Sequence, residues 1–207
     1  MRKLWGRANS SNVMKVIWLL EELGLPYQRI DAGGAFGVTD TPEYRAMNPN
    51  SLVPTLQEDD FVLWESNVIL RYLCEANAPD SPMFPRDLHA RASIDRWMDW
   101  QQTTLNGPMS PVFWGLVRTP PEQRDMDAIG RGIQATGEVL ARLDAVLARV
   151  PYVVGPVFTL ADMPLGVHIH RWFFFPVEKP ALPHVRAWYD RLLERPAYRT
   201  HVAGPVT

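Results

Sequence analysis

The first apolar stretch, "RKLWG", is short enough for a strand, and the residues after it change period. In "SSNVMKVIWLLEELG", Val13, Val16, Ile17, Leu20 and Leu23 recur every three or four residues. That spacing lays apolar side chains along one helical face, and Gly24 supplies the stop. "PYQRID" reads as a second strand, followed by the glycine-rich loop "AGGAFG". Strand, helix and strand within about 30 residues make a βαβ unit. Thr41 is positioned as an N-cap, with Pro42 at the first position of a short helix that Pro49 closes. "VPTLQEDDFVLW" reads as two strands about an acidic turn, and "ESNVILRYLCEAN" places Val68, Ile69, Tyr72 and Leu73 on one helical face. The order through residue 78 is β-α-β-α-β-β-α, an α/β domain with a mixed sheet.

"APDSPMFPRD" then holds three prolines in ten residues, a stiff connector. Beyond it the strand signal vanishes. "LHARASIDRWMDWQQTTL" is helical, and "GEVLARLDAVLARV" sets Leu140, Leu143 and Leu147 on one face. In "FTLADMPLG", Thr159 and Asp162 form a capping box, flanked by Phe158 and Met163 as a hydrophobic staple. This is a folding signal. "ALPHVRAWYDRLLERP" and "AYRTHV" add two terminal helices. The expected organisation is an α/β domain over 1–78, a linker over 79–87 and an all-α helical domain over 88–207.

Composition narrows the class. With 46% apolar and 21% charged residues among 207, the chain reads as a water-soluble globular protein. No run reaches the roughly 18 apolar residues of a membrane span. Arg2 and Lys3 are followed by Gly6 and Arg7 before any hydrophobic region can form, so no signal peptide is expected and the location is read as cytoplasmic. A net charge of −2 with scattered arginines leaves no basic stripe for nucleic acid. The single Cys74 excludes an internal disulfide or a CxxC centre and reads as a buried small hydrophobe. His168 and His170 diverge by about 200° on a helix, so they share no metal face and no metal is expected. The run "RWFFF" at 171–175 reads as core. Phe113, Trp114 and Arg118 follow a break at Gly107, Pro108 and Pro111 that aims them toward a cleft between the domains. Trp97, Asp99 and Trp100 fit either packing or dimer contacts.

The chemistry concentrates in three places. Asn9, Ser10, Ser11 and Asn12 crowd the start of the first helix, where unpaired N–H groups and about half a positive charge favour an anion. One serine there would serve as a cap; four small polar residues also fit stabilisation of a bound thiolate, alkoxide or carboxylate. Pro54 stands at a strand start, where its neighbour's backbone is left free for an added ligand strand. Glu65 and Ser66 open another helix, offering an anion-binding end beside a carboxylate able to take an ammonium; capping alone also accounts for Ser66.

"SSN" at the first helix, "NPNSLVPTL" before the third strand, "ESNVILRYL" at the third helix, the proline-rich linker and "FTLADMPLG" together resemble the cytosolic glutathione transferases, most nearly bacterial serine-type members akin to the theta, nu and phi classes. The likeness spans practically the whole chain. It implies a thioredoxin-like N-terminal domain that binds glutathione as co-substrate, a helical domain that completes the pocket for a small, mostly apolar electrophile, and a homodimer. By the same resemblance Ser10 would hold the glutathione sulfur, with Ser11 as the second choice and Asn12 the contact of nu-like members. Val53 would pair its backbone with the cysteinyl unit, Pro54 would be cis, and Glu65 and Ser66 would hold the γ-glutamyl amine and carboxylate. Phe113, Trp114 and Arg118 would line the electrophile pocket. Two departures stand out: Leu52 replaces a common Lys, Arg or Gln near the glycine carboxylate, and Ser51 a common glycine. A glutathione-dependent disulfide or peroxide reductase, or a non-catalytic binding module, is the alternative.

Overall fold

The computed structural model describes residues 1–207. Four strands form one sheet in the order β2-β1-β3-β4, from β1 (Arg2–Trp5), β2 (Gln28–Ile30), β3 (Thr55–Glu58) and β4 (Phe61–Trp64). Strand β1 runs parallel to β2, with Leu4 opposite Arg29, and antiparallel to β3, with Leu4 opposite Leu56. A parallel pair needs a crossover. Helix α1 (Ser11–Glu22) supplies it, ending before Gly24 at φ +61°.

Helix α1 is buried more widely than its apolar spacing implies. Val13, Val16, Ile17 and Leu20 are covered as expected, but so are Lys15, Trp18 and Leu19. The reason is that α1 lies between two layers, packing on α3 (Ser66–Asn77) on one side and on α7 (Asp162–Phe174) and α9 (Pro196–His201) on the other. Trp18 stands 4.7 Å from the Tyr198 ring and 5.4 Å from that of Phe158. Gly166 allows the approach, since a Cβ there would sit 3.2 Å from the Trp18 ring and 2.8 Å from Leu192. Arg195 clamps Glu22 through two bonds of 2.8 and 2.6 Å, pinning the end of α1 to the helical domain. One continuous apolar core therefore runs through both domains.

Two local readings need correction. On α3 the buried face is Ile69, Leu70, Leu73 and Cys74, whereas Val68 is exposed. Tyr72 is only half-buried because its ring leans on Phe61 and its hydroxyl donates to Glu58 at 2.6 Å, bracing the sheet edge. The expected break at Gly107, Pro108 and Pro111 is absent. Helix α4 (Leu88–Trp100) runs through a π turn at 101–105 into α5 (Asn106–Phe113), with Pro111 inside it and a second π turn at 114–118. Wider turns on both sides absorb the hydrogen bond a proline cannot donate.

Other readings hold in whole or in part. Helix α2 (Pro42–Met47) is capped by Thr41, whose hydroxyl accepts the Tyr44 N–H. On α6 (Met126–Leu147), Leu140, Leu143 and Leu147 are buried, and α8 (Pro183–Leu193) and α9 close the chain. Asp162 reaches back to the Thr159 N–H at 2.8 Å, one half of the expected box; the Thr159 hydroxyl donates to the same carboxylate instead of accepting the Asp162 N–H. In "RWFFF" only Trp172 and Phe175 belong to the buried core. Asp99 pairs with Arg71 at 3.0 Å across the domains, and the Trp97 and Trp100 rings meet edge to face at 5.0 Å.

Candidate functional site

The β1–α1 turn is tied to the end of β2: Gly6 N–H donates to the Ile30 carbonyl at 2.8 Å and Arg7 N–H to Ala32 at 3.0 Å. Ser10 then takes the N-cap position of α1, its carbonyl accepting the Met14 N–H at 2.8 Å, yet its hydroxyl makes no capping bond. Only 7% exposed, Ser10 lines a cavity of about 300 Å³ with Ser11 and Asn12. The cap is thus made by backbone conformation alone. The hydroxyl is left without a capping partner, at a helix start whose residues line the cavity.

Residues 51–54 form the opposite wall. Ser51 sits at φ +55°, the left-handed conformation that explains why glycine suits this position. The Leu52 carbonyl accepts from the Tyr44 hydroxyl at 2.7 Å and from Asn48 Nδ2 at 2.9 Å, and both side chains also reach the buried Thr55 hydroxyl. So anchored, the loop presents a cis Val53–Pro54 bond. The Val53 N–H and C=O enter no main-chain hydrogen bond and border the cavity. Leu52 is 65% exposed on the rim and supplies no charge.

Val53 and Pro54 also line a smaller adjoining cavity of about 120 Å³, shared with Asn12, Glu65 and Ser66. Glu65 caps α3 at φ +71°, a conformation costing a non-glycine residue about 1–3 kcal/mol and persisting where neighbours enforce it. Ser66 is buried at the first position of α3, and its hydroxyl donates to Asn12 Oδ1 at 3.3 Å. The openings of α1 and α3 are thereby bonded together, which commits the Asn12 amide oxygen to a structural contact.

Beneath this junction lies Lys15, which the sequence reading did not single out. Its fully buried ammonium donates to Ser66 Oγ at 3.4 Å, Asn67 Oδ1 at 3.4 Å and Gln101 Oε1 at 3.1 Å. Burial pushes it down to about 7, Glu65 pulling upward and Arg171 pressing further down. The folded chain releases this proton near pH 7 and the unfolded chain near 10.5, so unfolding takes up a proton in between and stability rises with pH there. Against a Lys15→Met variant, wild type should gain up to about 1.4 kcal/mol per pH unit across that window in urea titrations. Parallel stability–pH curves would mean that burial does not lower the proton affinity of Lys15.

The helical domain closes the cleft with Phe113 and Trp114 at the end of α5, as anticipated, and Arg118 borders a contiguous cavity of about 280 Å³. Arg7, Met109, His168 and Arg171 also line the cleft and were not anticipated. His168 donates from Nδ1 to the Pro164 carbonyl at 2.9 Å, and burial beside Lys15 pushes it down to about 3, keeping it neutral. His170 bonds the Tyr189 hydroxyl and the Gly204 carbonyl instead. Cys74 is buried away from the cleft and pushed up to about 11, so it offers no thiolate.

A thioredoxin-like sheet with a cis-proline loop and two helix openings, facing an all-helical partner across a cleft, defines a two-domain class. Residues 9–76 match the family model for the glutathione S-transferase N-terminal domain, and residues 126–191 that for the C-terminal domain. Glutathione S-transferase GstB of Escherichia coli strain K12 is 42% identical over 209 residues, covering 100% of both chains. A solved theta class glutathione S-transferase from Xanthomonas axonopodis pv. citri, with glutathione bound, aligns at TM-score 0.95 and 50% identity over 100% of this chain and 99% of that one. A glutathione S-transferase structure from Pseudomonas fluorescens aligns at TM-score 0.84 and 28% identity over 95% and 96% of the two chains. The chain belongs to the cytosolic glutathione transferase family and is a glutathione S-transferase.

Proposed function

We propose that glutathione binds extended along the cis-proline loop, is ionised at its sulfur by Ser10, and attacks a small electrophile held against Phe113 and Trp114. Val53 offers the free N–H and C=O that an added peptide strand pairs with. Glu65 takes the γ-glutamyl ammonium, and the main-chain N–H groups that open α3 at Ser66 take the adjoining carboxylate. Ser10 Oγ–H donates to the sulfur.

The observation that carries this reading is the Ser10 hydroxyl, placed at an N-cap inside the cavity and excused from capping. A free thiol with a pKa of about 8.5 is only a few per cent ionised at pH 7. Lowering it by about two units takes roughly 2.7 kcal/mol of preference for the thiolate. One charge-assisted hydrogen bond of about 1.5–3 kcal/mol, with the helix end behind it, is of that size. A less basic thiolate is a weaker nucleophile, which tempers the gain. No nucleophile from the protein is required, and Asn12, bonded to Ser66, serves the frame of the site. We assign the protein a cytoplasmic detoxifying role as a homodimer, with no metal in the reaction.

Glutathione assayed with an aryl halide, a hydroperoxide and a small disulfide tests this. Conjugation of the aryl halide is expected. A preference for the hydroperoxide or disulfide, with Asn12→Ala more damaging than Ser10→Ala, would favour the reductase instead.

A further inference from the structure

The fully buried ammonium of Lys15 ties α1 to both domains through partners that are all neutral. It donates to Ser66 Oγ and Asn67 Oδ1 at the start of α3, both at 3.4 Å, and to Gln101 Oε1 in the π turn at 3.1 Å. Each partner is itself held. Asn67 Nδ2 donates to the Met98 carbonyl at 3.0 Å, Gln101 Nε2 to His168 Nε2 at 3.2 Å, and the Ser66 hydroxyl to Asn12 Oδ1 at 3.3 Å. Three acceptors around one nitrogen match an ammonium; a neutral amine has two N–H groups and leaves one acceptor unmet. Two charged groups act on Lys15: Glu65 of α3 favours the ammonium and Arg171 of α7 opposes it. His168 of α7, also beside it, is neutral.

The surroundings of Lys15 thus fit a cation and lack the bonded counter-charge that would retain one. A buried ion without a paired charge is costly, and the empty protein releases this proton near pH 7. Ser66 connects that deficit to the ligand site, because the hydroxyl that accepts from Lys15 belongs to a residue lining the cavity of about 120 Å³ with Glu65 and Asn12.

Resting on the glutathione reading above, we propose that Lys15 is a positioning residue that takes up a proton when the γ-glutamyl carboxylate docks, coupling glutathione binding to protonation beneath the site. A carboxylate on the main-chain N–H groups at Ser66 stands across one side chain from Lys15 and supplies the missing negative charge. The ligand's ammonium meets Glu65, which makes no hydrogen bond to Lys15, so the carboxylate decides the sign. The proton comes from solvent. Once charged, Lys15 keeps all three bonds and fixes the start of α3 against α1 while the tripeptide is bound. Uptake occurs above pH 7, where the empty protein has lost the proton and the complex keeps it. The coupling opposes the chemistry at sulfur: raising pH ionises more thiol but loosens the γ-glutamyl end.

S-methylglutathione isolates the effect, since it has no thiol proton to lose. Calorimetric titration at pH 8 in phosphate and in Tris, whose ionisation enthalpies differ, counts the protons exchanged on binding. Wild type should take up about half a proton more than Lys15→Met, any remainder belonging to the ligand's own amine. Lys15→Met should bind more weakly than wild type at pH 7, and the gap should narrow about five- to tenfold by pH 9. Gln101→Glu is the second variant should the first fail to fold. It sets a permanent carboxylate against the same nitrogen, keeps Lys15 charged in the empty protein, and should abolish the same half proton. Equal uptake in wild type and variant, with S-methylglutathione bound by both, would overturn this proposal alone. A gap in affinity that stays constant from pH 7 to pH 9 would overturn it too, leaving Lys15 a merely structural residue. No binding of S-methylglutathione to wild type at any pH would overturn both this and the reading it rests on.

Discussion

Ser10→Ala should lower kcat/KM for glutathione conjugation by about 10- to 150-fold near pH 7, the equivalent of one charge-assisted hydrogen bond of about 1.5–3 kcal/mol. The same variant should hold its stability to within about 0.5 kcal/mol, because the hydroxyl makes no capping bond to lose. A capping serine would behave in the opposite way, costing about 0.5–2 kcal/mol of stability and little activity. Ser11→Ala and Asn12→Ala should cost less activity; the Asn12 oxygen is occupied by Ser66. Steady-state rates and chemical denaturation on the three variants check this. Unchanged turnover in Ser10→Ala would remove the serine from the chemistry.

The largest expected loss of stability lies far from the cleft, at Asp162. Its fully buried carboxylate accepts from the Val153 N–H at 3.0 Å, the Thr159 N–H at 2.8 Å, the Thr159 hydroxyl at 3.2 Å and Trp188 Nε1 at 2.9 Å. These bonds join the loop before α7, the start of α7 and the middle of α8. Alanine leaves the two N–H groups and the indole without acceptors. At about 1–3 kcal/mol for each buried orphan, the loss should reach about 3–5 kcal/mol after partial relaxation. For a chain of this size, that is a drop of about 10 °C in Tm. Asp162→Asn keeps one carbonyl acceptor and should fall between the two. A loss below about 1 kcal/mol in Asp162→Ala would mean that water replaces the carboxylate. Because α7 also carries His168 and Arg171 into the cleft, activity should fall before the chain unfolds.

The frame of the molecule is legible in the sequence because local rules govern it. The apolar spacing of α1, the Thr41–Pro42 start of α2, the paired strands about Asp59 and Asp60, and the proline-rich connector each depend on neighbours along the chain. The three stretches that line the adjoining cavities are legible for a related reason: polar residues at helix starts and a proline at a strand start are short-range signals. Lys15, Arg7 and Arg171 were not readable in this way. Lys15 falls between Val13 and Val16 on a helix covered on two sides, and nothing in a single-helix pattern reveals the second cover. Arg171 opens an aromatic run that reads as core, and only the fold shows that its side chain lies on Phe113 at the cleft. The available hint is that Arg171 is the one Lys or Arg in α7, a helix with ten buried residues. The α3 face and the absent break at Pro111 were misread for want of tertiary partners: the sheet edge that Tyr72 braces and the π turns beside the proline.

The central claim is that Ser10 and the start of α1 ionise the sulfur of bound glutathione. Its most direct test is the thiolate ultraviolet absorbance of glutathione saturating the protein, titrated against pH in wild type and in Ser10→Ala. The account predicts a bound thiol pKa about one to two units below the free value of about 8.5 in wild type, returning toward it in the variant. The same pKa in both proteins, or one matching free glutathione, would contradict it.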